Sequence, residues 1–270
     1  MGFGFSRIFF QSHIYAVLGF FAMLPLVGDK LVYKKEALKE NAKLLGLIAS
    51  LVALIIISFS RSFWVGGAAA LLIYFLGLLF IFKEKIKYLF ARSLVVVSIF
   101  LIAISIITLL VKIPMGGGKG GVDISSVLGE RTTNLSESAV GSRWNLIKPL
   151  WQAIEVNPLI GSGFGKTVTY KTLDPRALET NLTNEYKTYA FEWGYLDIWL
   201  KLGLFGLLAY LVLIWKILAD GWKHKDDKLF LGSLFGIIAL GIIHFFTPYL
   251  NHPLGIGYLI LASVIYEKNR

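Results

Sequence analysis

The chain has 270 residues, 56% of them hydrophobic and only 16% charged, with a mean hydropathy of +0.68; a soluble domain averages about 25% charged residues, so a water-soluble globule is excluded and a multispanning membrane protein is predicted. The net charge of +10, from 27 Lys and Arg against 17 Asp and Glu, is not gathered on a soluble face. It therefore argues against a nucleic-acid binder and reads as loop orientation and contact with membrane lipids.

A helix needs about 20 mainly apolar residues to cross the hydrocarbon core. Seven such stretches follow in chain order, near 12–28, 43–60, 63–82, 93–113, 193–218, 229–246 and 250–266. The first opens on Ser12 and His13 and contains Pro25. With only Arg7 before it and no small-x-small cleavage site after it, it reads as an anchor and not a signal peptide. Lysines and arginines crowd alternate connections: Lys30, Lys34, Lys35, Lys39 and Lys43; Lys83, Lys85, Lys87 and Arg92; Lys216, Lys223, Lys225 and Lys228; Lys268 and Arg270. The positive-inside rule places these in the cytoplasm. The N-terminus, a turn at 61–62, the segment 114–192 and a turn at 247–249 then fall outside the cell membrane. An outside N-terminus with seven spans also suggests that further helices precede the chain. The expected architecture is an all-α polytopic protein of about seven transmembrane helices: 1–113 holds the first four, 114–192 is one large extracytoplasmic loop, and 193–270 holds the last three.

The loop opens with Pro114-Met115-Gly116-Gly117-Gly118-Lys119-Gly120-Gly121, a flexible linker and no P-loop, since no Gly-Lys-Ser/Thr follows. A polar stretch occupies 130–142. Trp144, Ile147, Trp151 and Ile154 then repeat at three, four and three, the pattern of one apolar helical face. Pro149 is expected to kink or interrupt this helix, and its tryptophans suit a membrane interface. Asn157-Pro158 ends it. The following Gly161-Ser162-Gly163-Phe164-Gly165 lacks the strand-to-helix context of a dinucleotide fingerprint and reads as a tight glycine turn packed close to a helix.

Two arginines stand near the predicted outer surface. Arg61 lies between apolar spans, where an Arg costs energy at membrane depth; it either snorkels to the interface or serves function. Arg143 alone would pass as a solvated loop residue. Together their planar guanidiniums could grip a pyrophosphate bidentately. Asp197 and Lys201, four apart, are expected to pair on one helical face. Glu192 stands at the mouth of the fifth span without a basic neighbour at helical spacing on its C-terminal side. Partial burial would suit it to a general-base role. Glu185 is the alternative, on roughly the same face if the helix begins that early. The four histidines form no metal signature: His244 and His252 flank the last outer turn and read as interface residues, with His252 a candidate to line the outer cavity. No cysteine is present, which removes thiolate chemistry.

Ser60-Arg61-Ser62-Phe63-Trp64, opening a span of small residues, resembles a motif of the O-antigen ligase and O-antigen polymerase family. Arg143-Trp144, Trp151-Gln152-Ala153-Ile154 and Asn157-Pro158-Leu159-Ile160-Gly161-Ser162-Gly163-Phe164-Gly165 are similar to that family's "R…W…A…NPxxGxGxG" signature. Lys201-Leu202-Gly203-Leu204-Phe205-Gly206 resembles its "ExGxxG" span, and the segment before Pro25-Leu26 resembles the helix preceding the arginine hairpin. The resemblance implies a GT-C-like helical fold, here the C-terminal part of a longer enzyme. It also implies metal- and cofactor-independent transfer of glycan from an undecaprenyl-pyrophosphate carrier to an acceptor glycan at the outer membrane face. Arg61 and Arg143 match the family's arginines, which are thought to stabilise the pyrophosphate. Ligases carry His-Asn eleven residues before the glycine matching Gly203. This chain has Glu192-Trp193 there, which favours polymerase over ligase and makes Glu192 the candidate base. Trp144, Glu185 and His252 join the arginines as expected substrate contacts, and a chain-length regulator is an expected accessory partner. The alternative of another class is a polysaccharide transporter or flippase, but no internal repeat supports it.

Overall fold

In the computed structural model, the described residues are 10–33, 39, 41–112, 141, 143–172 and 185–268. Arg7, Lys34, Lys35, Arg270, the glycine stretch at 114–121 and nearly all of the polar stretch at 130–142 lie outside them.

All seven apolar stretches are helical. They form α1 (Ile14–Gly28), α2 (Ala42–Ile57), α3 (Arg61–Leu76) and α4 (Ile86–Lys112). Helix α5 follows over 143–156, then strands β1 (Val168–Lys171) and β2 (Glu185–Thr188), α6 (Gly194–Trp222), α7 (Lys228–Phe246) and α8 (Pro253–Lys268). Among the described residues, five helical stretches are long and apolar enough to cross a membrane: Gln11–Val32, Arg61–Ile81, Ile86–Leu110, Gly194–Trp222 and Lys228–Phe246. Helices α2 and α8 are shorter; the 16 residues of α2 rise about 24 Å at 1.5 Å each, against about 30 Å of hydrocarbon. The protein is thus an all-α membrane protein with one antiparallel hairpin added, in which Val168 pairs with Thr188 and Lys171 with Glu185. Four-residue strands are too short to show in hydropathy.

The chain forms two compact units. The first takes residues 1–121, 216–243 and 253–270. Within it α1 packs on α2 and α2 on α4, around Ile14, Leu18, Phe21, Ile48, Val52 and Ile99. Without a hydrophobic drive between helices in lipid, close approach depends on small residues. Gly232 accordingly faces the carbonyls of Phe21 and Ala22.

Arg92 departs from the sequence reading. Helix α4 begins at Ile86, so Arg92 is not a loop charge. It is buried, donates from Nε to Glu84 Oε1 at 2.8 Å, and reaches the Tyr74 hydroxyl at 3.4 Å. A buried guanidinium needs such partners to offset lost hydration. Lys83, Lys85 and Lys87 remain exposed.

The second unit takes residues 122–215 and 244–252. Helix α5 runs without interruption through Pro149, and its buried face differs from the predicted one. Leu146, Leu150 and Ile154, four apart, form a core with Val168, Phe191 and Leu200. Trp144 and Trp151 are exposed, stacked edgewise or tilted on Trp193 and Trp199 at 5.7 and 5.4 Å between ring centroids. The helix carries two overlapping apolar stripes that share Ile154, and the core takes the leucine stripe.

Candidate functional site

In the second unit, the core beneath α5 brings the start of that helix to the start of α6. The Trp193 indole donates to the Arg143 carbonyl at 2.9 Å, and the amide of Asp197 donates to the Trp193 carbonyl at 2.8 Å, opening α6. Glu192, just before this helix, stands where a helix N-terminus favours an anion. There it receives Arg143: Nε donates to Oε2, and Nη2 approaches Oε1 at 3.5 Å. The two residues are 49 apart in sequence, so no helical spacing could reveal the pair. Their side chains keep 31% and 52% of their surface exposed. Glu192 is therefore a half-exposed, arginine-held carboxylate, not one isolated in an apolar pocket.

Glu185 is exposed and sits on β2, because α6 starts only at Gly194. It therefore shares no helical face with Glu192. Trp144 is exposed beside Arg143, and His252 is half-buried after the turn at Tyr249–Asn251. His244 is fully buried and not an interface residue: its Nδ1 accepts from the Leu250 amide at 3.1 Å, and its ring packs on Tyr195 at 4.7 Å. Gly194 leaves room for this, since a Cβ there would lie 2.1 Å from the His244 carbonyl oxygen.

One turn into α6, the expected Asp197–Lys201 pair forms at 2.6 Å, with both side chains buried. Asn251 Nδ2 donates to Asp197 Oδ2, and Tyr210 donates to the Leu250 carbonyl at 2.6 Å. These bonds tie the turn carrying His252 to α6. Asn251 lies 54 residues from Asp197 and had no sequence signal.

The glycine turn also finds its helix. Helix α6 is broken at Gly203, where φ is 71° and ψ −176°. The turn takes over the backbone bonds lost there: Ser162 and Gly163 donate to the Leu200 and Lys201 carbonyls at 2.7 and 3.0 Å, while Leu204 and Phe205 donate to the Pro158 and Leu159 carbonyls at 2.8 and 3.3 Å. These four amides are spent on protein carbonyls, so the turn acts as a clamp on a split helix.

In the first unit, Arg61 is exposed and is the first residue of α3, not part of a turn. The hairpin before it is tightly made. Phe59 has φ 47°, Ser60 donates its amide to Ser58 Oγ at 3.2 Å, and Ser60 and Ser62 share a hydroxyl bond at 3.0 Å. The Trp64 indole donates back to the Ile55 carbonyl at 3.2 Å.

Apolar helices with an arginine–carboxylate pair just before a split helix define a helical membrane protein with a polar pair in its second unit. Residues 45–211 match the O-antigen ligase family, a range containing Arg61, Arg143, Glu185 and Glu192. The chain belongs to that family, which is associated with O-antigen ligase activity. No curated protein and no solved structure matches it.

Proposed function

We propose that the protein is a membrane glycan polymerase, moving glycan from an undecaprenyl-pyrophosphate carrier to an acceptor sugar at the outer membrane face with inversion at the anomeric carbon. The observation that carries this reading is the contact of Arg143 with Glu192. It supports the reading because a guanidinium, able to match phosphate oxygens, and a carboxylate, able to accept a proton, stand side by side with part of each exposed. In the resting protein each group occupies the other. When the pyrophosphate arrives, its oxygens take over the Arg143 donors, and the Glu192 carboxylate is released toward the acceptor hydroxyl. The hydroxyl oxygen then attacks the anomeric carbon, the bond from that carbon to the phosphate oxygen breaks, and its electron pair leaves on the pyrophosphate. The hydroxyl proton passes to Glu192.

Stabilising charge on the leaving group is often the largest catalytic contribution. Arg61 supports an anion-binding reading of its own end of α3. A cation gains nothing from a helix N-terminus, yet the positive end of the helix there favours a phosphate. Trp144 offers a flat apolar face for a sugar ring, with Glu185 and His252 as further contacts.

A ligase that delivers the glycan to a lipid or protein acceptor is the second reading, favoured by the family match. Purified protein given a defined lipid-pyrophosphate oligosaccharide tests both. Longer carrier-linked products support polymerisation. Transfer to a non-carrier acceptor overturns it for the ligase, and no transfer to either acceptor overturns both.

A further inference from the structure

The sequence reading leaves all of 114–192 outside the hydrocarbon. We infer that residues 156–164 instead dip into the bilayer, as a non-helical apolar lip beside the break in α6.

The lip exposes four large apolar side chains, Val156, Leu159, Ile160 and Phe164, at 51–81% of their surface, with Ile160 the barest. Single exposed apolar residues need no explanation, but a contiguous group marks a membrane or partner surface. What covers this one follows from its position. The Pro158 and Leu159 carbonyls bond the amides that open the second half of α6, so the lip is fixed against a helix long and apolar enough to span a membrane. Directly beyond, Phe205, Leu208 and Val212 are exposed and lie three and four apart, one helical face. That face is hydrocarbon-covered on a spanning helix, and the lip continues it.

Several polar groups of the lip's backbone are bonded within the protein, which lowers the cost of placing non-helical chain at the edge of the bilayer. The Gly161 amide donates to the Asn157 carbonyl at 2.9 Å, and those of Ser162 and Gly163 donate to α6. The Pro158 carbonyl accepts from the Leu204 amide and also from the Trp199 indole at 2.9 Å. Indoles prefer the membrane interface, as Trp199 and its neighbour Trp151 would here, and Lys148 and Lys166 are long enough to snorkel to headgroups.

The chain contains no cysteine, so single cysteines can be labelled with bimane without background. Ile160→Cys, Phe164→Cys, Val212→Cys and Lys187→Cys are compared in the full protein, in phosphatidylcholine–phosphatidylglycerol nanodiscs with and without brominated acyl chains. Insertion within about 10 Å of the headgroup boundary predicts that Ile160→Cys and Phe164→Cys are quenched by brominated lipid as Val212→Cys is and shielded from aqueous iodide. Lys187→Cys, on the exposed hairpin, should behave oppositely. Iodide quenching at Ile160→Cys equal to that at Lys187→Cys overturns the inference in favour of a water-exposed loop. Protection from both quenchers overturns it in favour of a protein-covered surface.

Discussion

Gly161 and Gly203 face each other so closely that neither can carry a side chain: a Cβ on Gly161 would lie 2.4 Å from the Gly203 nitrogen, and one on Gly203 would lie 2.2 Å from the Leu159 carbonyl oxygen. Both have positive φ, 86° and 71°. Gly203→Ala therefore combines left-handed strain with a backbone collision. Gly163→Ala is the matched control, with φ 82° and nothing within 4 Å of its Cβ. The control should lose about 1 kcal/mol of stability, the conformational cost alone, and Gly203→Ala several times that. Thermal unfolding of the two purified proteins in detergent checks this, and equal losses would show that the clamp contact is unimportant.

Arg143 and Glu192 predict a separation of activity from stability. Their pair is partly exposed, and exposed ion pairs contribute about 0–1 kcal/mol, so Arg143→Ala and Glu192→Gln should both remain folded. Under the proposed mechanism each should reduce glycan transfer by on the order of 10²-fold, the cost of removing one transition-state donor. Arg143→Lys keeps the charge but loses the planar fork and should not restore activity. Product distributions on lipid-linked oligosaccharide decide the matter; full activity of Glu192→Gln would move the base elsewhere.

Arg61→Ala should abolish glycan lengthening while leaving membrane expression intact. Stability should hold or rise slightly, since a cation is removed from a helix N-terminus, where its unfavourable contribution is about 0.3–1 kcal/mol. A drop in expression matching the drop in activity would instead make Arg61 a structural residue.

Asp197 and Lys201 are both buried, and removing one partner of a buried pair costs about 3–5 kcal/mol because the other charge is stranded. Asp197→Leu and Lys201→Met should each destabilise the second unit strongly, whereas the double substitution should recover much of the loss. A double-mutant cycle on unfolding temperature measures this, and additive losses would argue against direct coupling.

Much of this molecule is written in local patterns. The helices over the apolar stretches follow from hydropathy, because an apolar run in lipid must bond its own backbone, and among the described residues five of them are long enough to span. The Asp197–Lys201 contact follows from four-residue spacing, and the turn at Gly161 from glycines at positions that side chains cannot occupy. Helix α5 shows where such reasoning stops. Its Trp144–Ile154 stripe and its Leu146–Ile154 stripe are both apolar, and nothing local says which meets protein and which stays outside. Arg92 likewise looks like an orienting loop charge until Glu84 and Tyr74 are seen around it.

Composition and periodicity are enough for the membrane class, the helical segments and the short list of arginines and carboxylates, because each depends on neighbours along one helix or on bulk transfer into lipid. That Arg143 holds Glu192, that Asn251 closes on Asp197, and that His244 is buried depend on groups dozens of residues apart or on packing around the side chain. Those contacts exist only once the core under α5 and the clamp at Gly203 have brought separate segments together, which no one-dimensional spacing encodes.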